Sequence, residues 1–179
     1  FNKAIDDRFP QSAQNEFIGR PDMILLEGWC IGARPENGDD LLQPINTLES
    51  NEDPDAAWRK YVNDRLTNDY AALFNKIDLQ IFLAVASMEV VFKQRALQEQ
   101  KLRDTRNADG HSGKHPDENP SEYPVEYQAA LDSDTALRRF IMHYERITQN
   151  LLRDMPGAAN FCLRIGDQHQ IEEIGRAHV

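Results

Sequence analysis

Glu27 ends a run of four apolar residues, Met23 to Leu26, and is followed directly by Gly28 and Trp29 in the stretch D-M-I-L-L-E-G-W-C-I-G-A-R-P. An unbroken apolar run between Pro21 and Gly28 has the pattern of a strand covered on both faces, which belongs to a parallel sheet. Open parallel sheets bind their ligands beyond the carboxyl ends of the strands. A carboxylate there is placed to hold a cation or handle a proton, and Gly28 leaves room for a ligand or a neighbouring backbone. The plainer alternative is a solvated acid at a strand end. Trp29 either lines a pocket at that end or covers the core.

Other reactive residue types group less well. Cys30 and Cys162 lack metal-ligand spacing and are expected as buried free thiols in or beside strands. His111 and His115 lie near Asp109 and Asp117 in a stretch rich in Pro, Gly and acids, where solvated side chains are the expected state. Ala108 to Lys114 satisfies the loose form A-x-x-x-x-G-K. A phosphate-binding loop also needs a strand before it, a helix after it and a Ser or Thr for Mg²⁺. Here His115 and Pro116 follow, and the match is rejected.

The elements that must position Glu27 alternate. The pattern predicts strands near Met23–Leu26, Leu79–Val85 and Asn160–Ile165. Helices are expected near Asp55–Asn75, with Asp53 as N-cap and Pro54 in the first turn, near Ser87–Arg103, and near Thr135–Arg153. The first carries Trp58, Tyr61, Val62, Leu66, Tyr70, Leu73 and Phe74 at helical spacing, so Trp58 is expected in the core. The third has the clearest stripe, from Leu137 to Leu152, and Pro156-Gly157 is expected to stop it. Residues 104–132 read as a mobile insertion or lid. The fold class expected is α/β, a parallel sheet flanked by helices.

These segments carry a resemblance. The E-G-W-x-x-G-x-x-P stretch resembles the Walker-B-region strand of P-loop kinases of the D-glycerate 3-kinase type, which sit near the phosphoribulokinase, uridine kinase and pantothenate kinase group. F-N-K-A-I-D-D-R at Phe1–Arg8, L-Q-P-I-N-T-L-E at Leu42–Glu49, W-R-K-Y-V-N at Trp58–Asn63, Q-R-A-L-Q-E-Q-K-L-R at Gln94–Arg103 and F-I-M-H-Y-E-R-I-T at Phe140–Thr148 follow in the family's order. The resemblance implies a P-loop NTPase fold of the nucleoside/nucleotide kinase type. It also implies transfer of the γ-phosphate of ATP, with Mg²⁺, to a small-molecule hydroxyl acceptor, D-glycerate or a similar hydroxy acid.

On that resemblance, Asp6 or Asp7 is the base, Glu27 holds Mg²⁺ directly or through water, and Arg95 reaches the γ-phosphate. Lys3, Arg8, Trp29 and Arg146 face the substrate, with Arg8 suited to clamp a carboxylate. Arg146 has two alternatives, a pair with Glu145 or a solvated position. This chain departs from the family at Gln94, where W-R is frequent, and at Asn2, where an acid commonly precedes the lysine. Acceptors such as a nucleoside, pantothenate or a sugar, or a non-catalytic nucleotide-dependent regulator, are the other readings. Family members carry a strand and P-loop before the segment matched by Phe1–Arg8, so the chain is expected to be the C-terminal part of one kinase domain. I-G-R-A-H-V at Ile174–Val179 resembles a reading frame of a common sequencing adapter and is left out of the fold expectations.

Composition narrows the classes. The 179 residues are 40% hydrophobic, enough for one domain with a core. A net charge of −10 opposes nonspecific binding to nucleic acid or anionic membrane. Neither a transmembrane-length run nor a signal pattern is present, and a cytoplasmic location is expected.

Overall fold

The computed structural model describes residues 9–13, 16–109, 134–166 and 169–176. Contacts divide the chain into two units, Phe1–Glu27 with Arg95–Leu137, and Gly28–Gln94 with Arg138–Val179. No described helix is long and apolar enough to cross a membrane.

The second unit holds a three-stranded sheet of order β1-β2-β3, with β1 at Ile81–Val85, β2 at Phe161–Ile165 and β3 at Ile171–Arg176. β1 and β2 run parallel, from Ile81 opposite Phe161 to Val85 opposite Ile165. Their start is tied by the Gln80 N–H donating to the Asn160 side chain at 2.7 Å and the Phe161 N–H donating to the Gln80 carbonyl at 3.1 Å. Parallel neighbours need a crossover, and here the chain between them carries two long helices, numbered α4 and α5 below. β3 returns antiparallel to β2, placing Gly175 opposite Cys162 and Ile174 opposite Leu163. His169, at φ 61°, turns this hairpin.

This sheet differs from the expected one in two places. Met23–Leu26 forms no strand; Met23, Ile24 and Leu25 are 80–87% exposed. An apolar run becomes a buried strand only when a ladder partner satisfies its backbone, and none of the described residues pairs with it. The third strand is instead β3, antiparallel, and Ile174–Arg176, left out of the fold expectations, belong to it.

Helices α1 (Thr47–Glu52), α2 (Ala57–Arg65) and α3 (Ala71–Phe74) precede β1, with a π-helical turn at Leu66–Tyr70 joining α2 to α3. Within the join the Thr67 hydroxyl and the Asn68 amide donate to the carbonyls of Asn63 and Asp64, each at 2.9 Å. Such back-bonding bends helices. Asp53 closes α1 rather than standing as N-cap of α2; that place is taken by Ala56 in left-handed conformation, φ 58°. Trp58 is 69% exposed, so the expected core tryptophan is a surface one. The stripe it belongs to buries only Leu66 fully; Trp58 and Tyr61 pack edge-on against each other at the surface, centroids 6.1 Å apart.

α4 spans Met88–Asp109 and crosses from the second unit to the first. Ser87 accepts the Val90 N–H at its start (3.4 Å). Residues 104–109, expected in the mobile insertion, extend the helix; the rest of that insertion lies outside the described residues. α5 spans Asp134–Ala158 and continues through Pro156. Near a helix end a missing N–H removes one bond at most, and burial of Met155 and Ala159 holds the last turn. In the second unit Ala33, Leu66, Leu151, Met155 and Ala159 form the core, with Cys30, Phe82 and Ile147 packed on it. Cys162 is buried in β2; Cys30 is half-buried in a turn, and burial pushes its thiol above the usual range.

Candidate functional site

The expected site residues divide among three places. Lys3, Asp6, Asp7 and Arg8 lie outside the described residues. Glu27 and Arg95 belong to the first unit, Trp29 and Arg146 to the second. Glu27 is exposed on the extended segment after Leu26 and has no ion pair among the described residues. Its carboxylate is available as one oxygen ligand, and Mg²⁺ takes one or two carboxylates and completes its shell with water and phosphate oxygens. No group of three or more His, Cys, Asp or Glu side chains converges among the described residues. Arg95 lies on α4, its guanidinium 2.7 Å from Glu99 and 3.0 Å from Gln98. Trp29 is half-exposed in the turn after Gly28 and meets the Tyr144 ring edge-on, centroids 5.1 Å apart.

Arg146 has partners that neither the substrate role nor its alternatives anticipated. Its Nε and Nη2 donate to the two oxygens of Glu49 at 2.7 and 2.6 Å. Nη1 reaches Glu36 at 3.1 Å and the Asp40 carbonyl at 3.5 Å, and Nη2 also reaches the Gln43 carbonyl at 2.7 Å. A guanidinium has five N–H donors, and here each has a protein acceptor. The Glu49 hydrogen bonds, then those from Glu36, raise the Arg146 pKa further, against the effect of burial. Arg146 thereby fastens α5 to the segment before α1.

A second buried arginine extends the network. Arg59 donates from Nε to Asp53 at 3.1 Å, from Nη2 to the Asp53 carbonyl at 2.7 Å and from Nη1 to Glu49 at 3.4 Å. Asp53 also accepts the backbone N–H groups of Trp58 (2.9 Å) and Arg59 (3.1 Å), so it caps α2 from a distance. Burial alone would push both carboxyls up. For Glu49 the Arg146 hydrogen bonds, the Ile45 N–H and both arginine charges outweigh it; for Asp53 the two N–H groups and Arg59 do so. Both carboxyls sit below their ordinary range.

Two asparagines complete the arrangement. Asn46 accepts the Glu49 N–H at 3.0 Å as N-cap of α1, and its amide donates to the Met142 carbonyl (3.1 Å) and to Glu145 (2.9 Å). Asn63 holds Glu36 by both backbone groups, at 2.7 and 3.1 Å. Of these polar residues, Glu36, Glu49, Asp53, Arg59, Asn63 and Arg146 border a cavity of about 390 Å³ between α1, α2 and α5. Arg146 was expected at the substrate and Asp53 as a helix cap; the others were not anticipated from sequence, although N-x-x-E at Asn46–Glu49 is a capping pattern, and Arg59 and Asn63 are polar residues one turn apart beside an apolar stripe.

Comparison with protein-family models, curated proteins and solved structures found no match to this chain.

Proposed function

We propose that this chain is part of an ATP- and Mg²⁺-dependent small-molecule kinase on a P-loop NTPase fold, which moves the γ-phosphate of ATP to the hydroxyl of D-glycerate or a similar hydroxy acid. The observation that carries the reading is the ordered run of family-like segments from Phe1–Arg8 through E-G-W at Glu27–Trp29 to H-Y-E-R at His143–Arg146.

Two structural features accord with it. β1 and β2 are parallel across a helical crossover. β1 also has no ladder partner on its outer edge among the described residues, and Ile81 and Leu83 on one of its faces are 53% and 60% exposed. An additional strand followed by a helix, the unit that carries a phosphate-binding loop, would supply the missing partner and cover that face.

Phosphoryl transfer needs a cradle for the phosphates, positive charge for the transition state and a carboxylate to orient or deprotonate the hydroxyl. In this reading Asp6 or Asp7 takes the hydroxyl proton, and Lys3 and Arg8 bind the acceptor carboxylate. Arg95 stabilises charge on the γ-phosphoryl oxygens, and Trp29 lines the acceptor side. Glu27 would hold Mg²⁺, which supplies charge neutralisation when bound. Arg146, with all its donors engaged, acts by positioning the segment 36–49.

Steady-state kinetics of the complete gene product separate these roles. Asp6→Asn or Asp7→Asn lowers kcat by roughly 10²–10⁴-fold at whichever is the base. Arg8→Ala chiefly raises the acceptor KM, because a clamp acts in ground and transition states alike. Unchanged kcat in both aspartate variants together with unchanged KM in Arg8→Ala overturns the assignment.

A further inference from the structure

The cavity between α1, α2 and α5 has the size and lining of a small-molecule site. Leu41, Val62, Leu66, Met142 and Ile147 supply apolar wall, and the exposed Trp58 stands at its border. Asn150 also lines it, from the buried stripe of α5 between Ile147 and Leu151. Asn150 is only 7% exposed, yet its carboxamide has no hydrogen-bond partner among the described residues. Every other buried polar side chain on this wall is engaged: Arg59 with Asp53 and Glu49, and Glu49 with Arg146. Its amide atoms are not among the fully buried unpartnered ones, so this donor–acceptor pair is open to the cavity and marks the place where a ligand would be read.

The charges on the wall choose the ligand class. Four carboxylates, Glu36, Glu49, Glu52 and Asp53, face two guanidiniums, Arg59 and Arg146. Arg146 has no N–H to spare, Glu52 is held by Arg139 at 2.6 Å, and Arg59 already binds two carboxylates. An anion entering here meets an excess of negative charge and no uncommitted cation. D-Glycerate is therefore a poor occupant, and such a site is independent of phosphoryl transfer.

We infer that this cavity binds an uncharged, mostly apolar small molecule, a flat ring bearing an amide or an adjacent donor and acceptor, with the Asn150 carboxamide pairing to that group and Trp58 covering the ring. The two hydrogen bonds orient the ligand, and the apolar wall contributes most of the affinity.

Three probes of one shape test it: 2-naphthamide, 2-naphthoate and 2-methylnaphthalene. Binding is read by Trp58 fluorescence in a Trp29→Phe background, and by the Asn150 side-chain amide signal in the NMR spectrum of the unaltered protein. Saturable quenching by 2-naphthamide is expected, about 10-fold or more tighter than by either of the others, with the Asn150 signal shifting in step. Asn150→Leu should weaken 2-naphthamide about 10-fold while changing the thermal midpoint little, because the amide has no protein hydrogen bond to lose. The NMR arm keeps the test decisive if that variant folds poorly. Equal affinity for the three probes, no saturable binding (a water-filled cavity only), or an unmoved Asn150 signal overturns the inference.

Discussion

Replacing Arg146 by methionine keeps much of the side chain's apolar stem and removes every hydrogen bond that the guanidinium makes to the segment 36–49. The lost contacts are the paired bonds to Glu49 at 2.6 and 2.7 Å, the bond to Glu36 at 3.1 Å and the bonds to the carbonyls of Gln43 at 2.7 Å and Asp40 at 3.5 Å. Arg146, Glu36 and Glu49 have side chains only 10–11% exposed, so water does not readily replace the missing partner. Removing one member of a buried pair typically costs about 3–5 kcal/mol. Glu49 keeps Arg59 and the Ile45 N–H, which argues for the lower end, about 3–4 kcal/mol. At about 2–4 °C per kcal/mol for a chain of this size, the thermal midpoint should fall by about 6–16 °C. Urea unfolding of wild type, Arg146→Met, Glu49→Gln and the double variant gives the cost and the coupling. The double variant should lose less than the sum of the singles by about 0.5–3 kcal/mol. A cost below about 1 kcal/mol for Arg146→Met, the range of exposed pairs, would refute the claim that this arginine anchors α5.

Gly32→Ala should destabilise by about 1–3 kcal/mol, since Gly32 sits at φ 82° and a Cβ there would overlap the Gln80 carboxamide that donates to the Ile31 carbonyl at 3.2 Å; adding Gln80→Ala should recover part of the loss in a denaturant titration. Ala56→Gly should leave stability unchanged or raise it by up to about 1 kcal/mol, because glycine removes the left-handed strain at φ 58°; a clear loss would mean that the Ala56 methyl group matters more than the strain. Glu49 and Asp53 have folded pKa values below their unfolded ones, so their stabilisation is complete above the ordinary carboxylate range and is lost as pH falls through the folded values. Wild-type stability should therefore drop between about pH 5 and pH 3, more steeply than that of Glu49→Gln; parallel curves would contradict the assignment.

Periodicity made part of this structure legible. Leu137, Ile141 and Leu151 are buried along α5, and the apolar runs at Ile81–Val85 and Phe161–Ile165 form the parallel pair. Period alone says which face is apolar, not whether another element covers it. The run at Met23–Leu26 had the right pattern, but none of the described residues pairs with it; of the stripe around Trp58, Leu66 is covered and Trp58 and Tyr61 are not. The polar network was hidden for a different reason. Glu49 and Arg146 are 97 residues apart, and no local pattern says that a carboxylate after α1's cap will meet an arginine on α5. Asn46 and Glu49 carried a local signal, the capping pattern, which points to a helix start but not to the ion network it anchors. At Arg146 the family-like motif H-Y-E-R suggested a substrate contact, whereas the geometry commits the same guanidinium to holding two segments together.

Phosphate transfer by the complete gene product is the most direct test of the proposed activity. Purified protein with γ-labelled ATP and Mg²⁺ should label D-glycerate or a close hydroxy acid in a panel that also holds nucleosides, pantothenate and sugars, and Glu27→Gln should lower both kcat and the response to Mg²⁺. Protein that is folded and binds ATP, yet labels no alcohol in the panel, would contradict the kinase reading.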